Sequence, residues 1–119
     1  MPHGQMSSDM QKCIENCLQC HGICIETIEH CLDLGGEHTA PEHIRLLTDC
    51  AEICQASVNF MLRGSSVHPQ VCAVCDDVCE RCAQDCERFG DDKMMKDCAE
   101  VCRRCAESCG RMAQMAHPA

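Results

Sequence analysis

The sequence contains no tryptophan and no tyrosine, and only two phenylalanines. Leu, Ile, Val and Phe together account for 20 of its 119 residues, too little bulky apolar volume to fill an ordinary core in a chain of this length. Basic residues are also scarce: ten Lys and Arg stand against 19 Asp and Glu, a formal charge of −9. That balance argues against nucleic acid and anionic membrane as partners. No apolar run approaches the roughly 20 residues of a membrane span. The opening residues 1–10 hold no basic n-region, no apolar h-region and no twin arginine, so the chain is expected to stay in a cytoplasmic, reducing compartment. Strict alternation of apolar and polar residues, the mark of a strand, is missing.

What is abundant is cysteine. Sixteen of 119 residues exceed the ~8–10% that marks a disulfide scaffold or a metal protein. In a reducing compartment, dense cysteine reads as metal ligands rather than disulfides. The length suits one domain, 1–119.

Four helices are legible from their punctuation. The first spans about 8–34, opened by Ser8 with Gln11 as its capping-box partner and stopped by Gly35-Gly36. The second spans about 40–63, opened by Thr39 with Glu42 as box partner and Pro41 in the first turn, and it ends before Gly64. The third, about 68–89, begins at His68-Pro69 and stops at Gly90; the fourth, about 92–115, starts behind Asp91-Asp92 and fades before Pro118. Each is ~20–26 residues, or ~30–39 Å at 1.5 Å per residue. Short connections force antiparallel neighbours, so the predicted fold is all-α: an antiparallel up-down-up-down four-helix bundle with a cysteine-lined core.

The cysteines fall on one face of every helix. The first carries Cys13, Cys17, Cys20, Cys24 and Cys31; the second Cys50 and Cys54; the third Cys72, Cys75, Cys79, Cys82 and Cys86; the fourth Cys98, Cys102, Cys105 and Cys109. Steps of three and four trace the seam that faces the axis of a bundle, where leucine is usual. As small apolar fillers, one or two cysteines there are unremarkable. Sixteen are not, because Cys is smaller than Leu and facing stripes would leave voids. One residue along runs an aliphatic stripe: Ile14, Leu18, Ile25, Ile28 and Leu32, then Ile44, Leu47, Ala51, Val58 and Leu62, then Val67, Val71, Val74 and Val78. This stripe is expected to hold the fold, sealing helix to helix or bundle to bundle, while the thiol stripe is left for chemistry. Glu15, Glu26, Glu29, Asp77, Glu80, Arg81, Arg103, Arg104 and Glu107 read as a solvated face.

Several thiol chemistries fit poorly. Cysteines one turn apart on a helix meet disulfide geometry badly. The CxxC pairs Cys72/Cys75, Cys79/Cys82 and Cys102/Cys105 sit mid-helix, away from the helix N-terminus that activates a redox thiol. Cys17-Leu-Gln-Cys20-His21 matches haem-attachment letters as one accident within a series. Iron–sulfur clusters draw ligands from wrapping loops, which continuous helix does not offer.

Metal storage remains. Thiolates select soft ions. Bonds of ~2.3 Å span ~4.6 Å in a linear S–M–S unit, within reach of residues three or four apart, whose Cβ atoms lie ~5–6 Å apart. A row of buried Zn(Cys)4 sites, each carrying net −2, is costly; one Cu⁺ per bridging thiolate leaves the lumen neutral. Capacity then approaches one Cu(I) per cysteine, ~16 per chain, each ion displacing a proton. A zinc or mixed-metal thiolate buffer is the alternative, with iron–sulfur or thiol-redox roles behind it.

The pattern resembles the bacterial copper storage proteins along essentially the whole chain. The resemblance rests on the CxxxC pairs Cys13/Cys17, Cys20/Cys24, Cys50/Cys54, Cys75/Cys79, Cys82/Cys86, Cys98/Cys102 and Cys105/Cys109. It implies a non-catalytic, cytosolic protein that sequesters Cu(I) in Cys-lined bundles, assembles as a homotetramer, and exchanges copper with donor or acceptor proteins. The second helix departs from the pattern with only two cysteines; Ser57 and Met61 continue its stripe, and His43 and Leu47 precede it.

Antiparallel packing predicts two different ends. One gathers Met6, Met10, Met61, His68, Met112 and Met115 beyond Cys13, Cys72 and Cys109. Thioether and imidazole hold Cu(I) more weakly than thiolate, which suits an ion moving inward, so Met10, Met61, His68, Met112 and Met115 are expected to line the mouth. His68 has a competing role as a helix cap. The other end gathers Leu32, Leu34, Leu46, Leu47 and Phe89, an expected apolar plug, with Met94, Met95, His30, His38 and His43 nearby. His21 is expected to face outward, and His3 and His117 to be solvated tail residues.

Overall fold

The computed structural model describes residues 6–115, which excludes His3 and His117. Its elements are α1 (Ser8–Leu34), a one-turn 3-10 helix (Gly36–Thr39), α2 (Pro41–Leu62), α3 (His68–Glu87) and α4 (Lys93–Ala113). No strand occurs among the described residues. Each helix packs against the two beside it, α1 and α3 each touching α2 and α4, so α1 faces α3 across the lumen. This is the antiparallel four-helix bundle that the periodicity requires.

The helix starts differ in detail from expectation. Ser7, not Ser8, caps α1: its Oγ accepts from the Met10 N–H at 3.1 Å. Gln11 is thereby one residue too late for a reciprocal box, and its amide instead donates to the Met6 carbonyl at 3.4 Å. The Thr39/Glu42 box does not form. Gly35 and Gly36 both take positive φ, 71° and 59°, which turns the chain into the 3-10 helix, and Thr39 Oγ1 is used there to donate to the Gly36 carbonyl at 2.9 Å. α2 therefore starts from Ala40 without a side-chain cap, with Pro41 in its first turn. His68 does not cap α3; its Nδ1 pairs with the Ser65 carbonyl at 3.0 Å, and Val67 holds the cap position. Asp92 caps α4, accepting from the Met95 N–H at 3.2 Å.

The core is sulfur. Among the described residues, sixteen of the 26 buried apolar side chains are cysteines, joined by Leu47, Met61, Met95, Met112 and a few small residues. The aliphatic stripe does not hold the fold as expected. Only Leu47, Ala51 and Val58 of it are buried, Ile14, Ile28, Ile44 and Val78 pack partly against the core, and Leu18, Ile25, Leu32, Leu62, Val67 and Val74 are exposed. The reason is angular: on helices this closely apposed the thiol seam itself is the contact line, and a position ~100° away faces solvent. Polar ties assist between helices, as where Arg103 of α4 donates to Glu87 (2.7 Å) and Glu80 (3.2 Å) of α3.

With so few bulky residues inside, each matters. Leu47→Ala, at a fully buried position, is expected to lower the unfolding free energy of the reduced, metal-free protein by ~2–5 kcal/mol, measured by urea titration of helicity.

Candidate metal centre

All 16 cysteines are unbridged and buried. Their Sγ atoms approach across helices: Cys13 and Cys17 of α1 lie 3.6 and 3.5 Å from Cys109 of α4, Cys20 lies 3.8 Å from Cys50 and 3.7 Å from Cys102, and Cys54 lies 3.8, 3.7 and 3.8 Å from Cys75, Cys79 and Cys105. These are thiol–thiol contacts, shorter than the ~4.6 Å of a linear S–M–S unit. A two-coordinate ion therefore needs small side-chain rotations to spread its pair.

Sets of four sulfurs within 4.8 Å of one another recur along the lumen: Cys17/Cys75/Cys105/Cys109, Cys54/Cys75/Cys79/Cys105, Cys20/Cys50/Cys54/Cys79, Cys20/Cys24/Cys50/Cys102 and Cys24/Cys82/Cys98/Cys102. Successive sets share sulfurs. Cys75 and Cys105 belong to the first two, Cys54 and Cys79 to the second and third, and Cys20 and Cys50 to the third and fourth. Isolated tetrahedral sites each require four sulfurs of their own; overlapping sets suit bridging thiolates.

Non-sulfur residues complete the seam. Thr27 takes the position between Cys24 and Cys31, and Ser57 continues the α2 stripe beyond Cys54; both hydroxyls are buried without a protein partner. Thr27 escaped the sequence reading, although the seven-residue gap in the α1 cysteine series marked its place. Of the residues expected at the mouth, Met61 and Met112 are fully buried, Met10 is half-buried, and Met115 is exposed. His68 Nε2 is buried with no protein partner. His21 does not simply face outward: it is half-buried, with Nδ1 2.8 Å from the Ala51 carbonyl.

The opposite end is not a leucine plug. Leu32 and Leu34 are more than half exposed, and only Leu47 of that group is fully buried. His43, Met95 and Phe89 close the lumen instead. His43 Nδ1 donates to Asp85, whose other oxygen accepts from Arg88 at 2.7 Å. On the other side of the ring Nε2 lies 3.3 Å from Cys31 Sγ, which donates toward Met95 Sδ at 3.8 Å. Thiol, imidazole and thioether converge there. The signal for it was helical spacing, since His43 precedes Leu47 and Cys50 by seam steps of four and three.

The lumen favours protonated thiols. Burial pushes Cys31 up to about 11, and the charges of Asp92, Cys98 and Asp85 add to it. Deeper in, the hydrogen bond with Cys105, others with neighbouring thiols, and burial raise Cys54 above the ordinary thiol range. Cys20 and Cys50 move down, chiefly because Cys102 hydrogen-bonds to them. A thiolate is thus tolerated only where several S–H groups surround it.

A helical bundle whose interior is lined by sixteen thiols in overlapping sets defines a container for soft metal ions. Residues 6–114 match the family described as copper storage protein. The Nmul_A1745 protein from Nitrosospira multiformis is 43% identical with a TM-score of 0.86, over 92% of this chain and 99% of that one. The Cu(I)-bound copper storage protein BsCsp3, from Bacillus subtilis, is 35% identical with a TM-score of 0.83, over 89% and 99% of the two chains. The copper storage protein Ccsp from Streptomyces lividans, loaded with 10 copper equivalents, is 30% identical with a TM-score of 0.83, over 96% and 91%. The chain belongs to the copper storage protein family.

Because burial pushes the Cys31 thiol up from 9.0 to about 11, its contribution to stability is complete below about pH 9 and is lost as pH rises toward 11. The thermal midpoint of the reduced, metal-free protein is expected to fall across that window by calorimetry. Cys31→Ala is expected to flatten the fall.

Proposed function

We propose that the chain is a non-catalytic, cytosolic store that sequesters Cu(I) on the thiolates of all 16 cysteines. The observation that carries this reading is the chain of overlapping four-sulfur sets along one buried lumen. Shared sulfurs bind most ions when each thiolate bridges, and one Cu⁺ per S⁻ keeps the interior neutral where a row of Zn(Cys)4 sites would not. The copper-loaded state of relatives supports the choice of metal, and a relative described as a cytosolic copper storage protein supports the compartment. The working unit is a homotetramer of single-domain bundles, as the family resemblance implies, and copper donor or acceptor proteins exchange ions with it.

Ions pass through the methionine end. Met61 and Met112 sit one seam step or more beyond the outermost cysteines, and the unpartnered His68 Nε2 lies one turn before Cys72, so an ion shedding water meets weaker donors before thiolate.

Anaerobic Cu(I) titration against a strong chromophoric Cu(I) ligand is expected to plateau near one ion per cysteine, ~16 per chain, with about one proton released per ion at pH 7. A plateau near one ion per four cysteines would return the reading to zinc-like sites. Stopped-flow loading of a Met61→Leu/Met112→Leu variant is expected to be severalfold slower at unchanged capacity. A rate unchanged there but slowed by His43→Phe would move the mouth to the other end.

A further inference from the structure

Outside the lumen, at the end closed by His43, three side chains from three separate elements converge on one point. His30 stands in the last turns of α1, His38 in the 3-10 helix, and Asp92 at the start of α4. The Asp92 carboxylate divides its work. Oδ1 accepts from the Met95 N–H at 3.2 Å and caps the helix, while Oδ2 meets His30 Nε2 at 2.8 Å and His38 Nε2 at 3.0 Å. His30 Nε2 also reaches Oδ1 at 3.1 Å.

We propose that His30, His38 and Asp92 form a binding site for a borderline divalent cation of the Zn(II) class, separate from the thiol store. The spacing carries it. Donors held ~2.0–2.2 Å from one ion lie ~2.9 Å apart at right angles and ~3.3 Å apart in a tetrahedron. The observed separations of 2.8 and 3.0 Å from Oδ2 need a few tenths of an ångström of adjustment. The two imidazole planes stand at 81° with centroids 5.9 Å apart, and the His38 ring rests 4.5 Å from Phe89, which sets its orientation. Partial exposure, 30%, 21% and 16% for the three side chains, leaves room for water to complete the coordination. Although burial opposes it, hydrogen bonds from His30, the Met95 N–H and His38 hold the Asp92 carboxyl down at about 2, so it is ionised and ready to ligate.

The chemistry of the donors separates this site from the lumen. Two imidazoles and a carboxylate suit Zn(II) and its neighbours, while Cu(I) prefers thiolate. His30 adjoins Cys31 in sequence, yet the Cys31 sulfur is fully buried and faces His43 and Met95. On binding, each ring turns its Nε2 lone pair to the ion and carries its proton on Nδ1, so neutral imidazoles lose no proton overall. The ion then ties the end of α1, the 3-10 turn and the start of α4 together across the end of the bundle.

The test compares zinc binding by the parent chain and a His30→Ala/His38→Ala variant, with the lumen filled with Cu(I) to silence the thiols and, in parallel, on the reduced copper-free proteins. In both forms the parent is expected to bind one more Zn(II) per chain than the variant, by calorimetric titration. His38→Ala alone, outside the long helices, is expected to weaken that equivalent by at least about tenfold, and His21→Gln to leave it unchanged. Equal zinc stoichiometry in parent and double variant, at equal helicity, would overturn the site. Copper capacity measured on the same samples reads the storage role independently: its loss with the zinc difference intact counts against storage alone.

Discussion

A row of sulfurs sealed from water has to remain electrically neutral, and the rest of the molecule is arranged around that constraint. No lysine or arginine is buried among the described residues to balance a thiolate. Protons do this in the metal-free protein, which is why burial drives Cys31 upward. A monovalent soft ion does it equally well, because Cu⁺ for H⁺ is an exchange of like charge at the same atom. The seam, which in most bundles is filled by leucine for packing alone, here serves both as core and as ligand field.

That double duty explains the distribution of the remaining apolar residues. Small thiols let the helices approach until the cysteine stripe is itself the interface, and the bulky aliphatics are displaced to the rim, where Leu18, Ile25 and Leu32 of α1 stand half exposed. The two ends of the lumen are finished with softer or borderline donors, buried methionines at one and the Cys31–His43–Met95 group at the other. Asp85 and Arg88 hold the latter in place through the far side of the imidazole.

Much of this was legible in the sequence. The three-four spacing of the cysteines determines both the helices and the face they bury, since no other regular structure puts those positions on one line. Gly35-Gly36, Pro41 and Asp92 mark real boundaries, while α3 stops at Glu87, short of the expected Phe89, and Gly90 with φ 57° belongs to the turn that follows. What failed was finer. Ser8 and Thr39 carry capping-box letters, yet Ser7 takes the first role and the 3-10 turn consumes the second, because a cap depends on where the preceding backbone turns. The aliphatic stripe was misjudged because hydrophobicity shows which residues avoid water, whereas helix separation decides which of them succeed. His21 and the leucines near the far end were misplaced for the same reason. The meeting of His30, His38 and Asp92 was invisible, since 62 residues separate the first from the last and no periodicity links them.

The sulfurs form a narrow procession rather than a pool. From Cys13 and Cys109 near one end to Cys50 and Cys102 further along, neighbouring Sγ atoms touch at 3.5–3.9 Å, Cys24 and Cys98 continue the row within 4.8 Å, and no lumen cysteine is exposed at its flank. Cargo deep inside can leave only by handing itself along from sulfur to sulfur. Such a vessel empties in queue order: ions seated nearest an opening go first, and the innermost are the slowest to return to circulation.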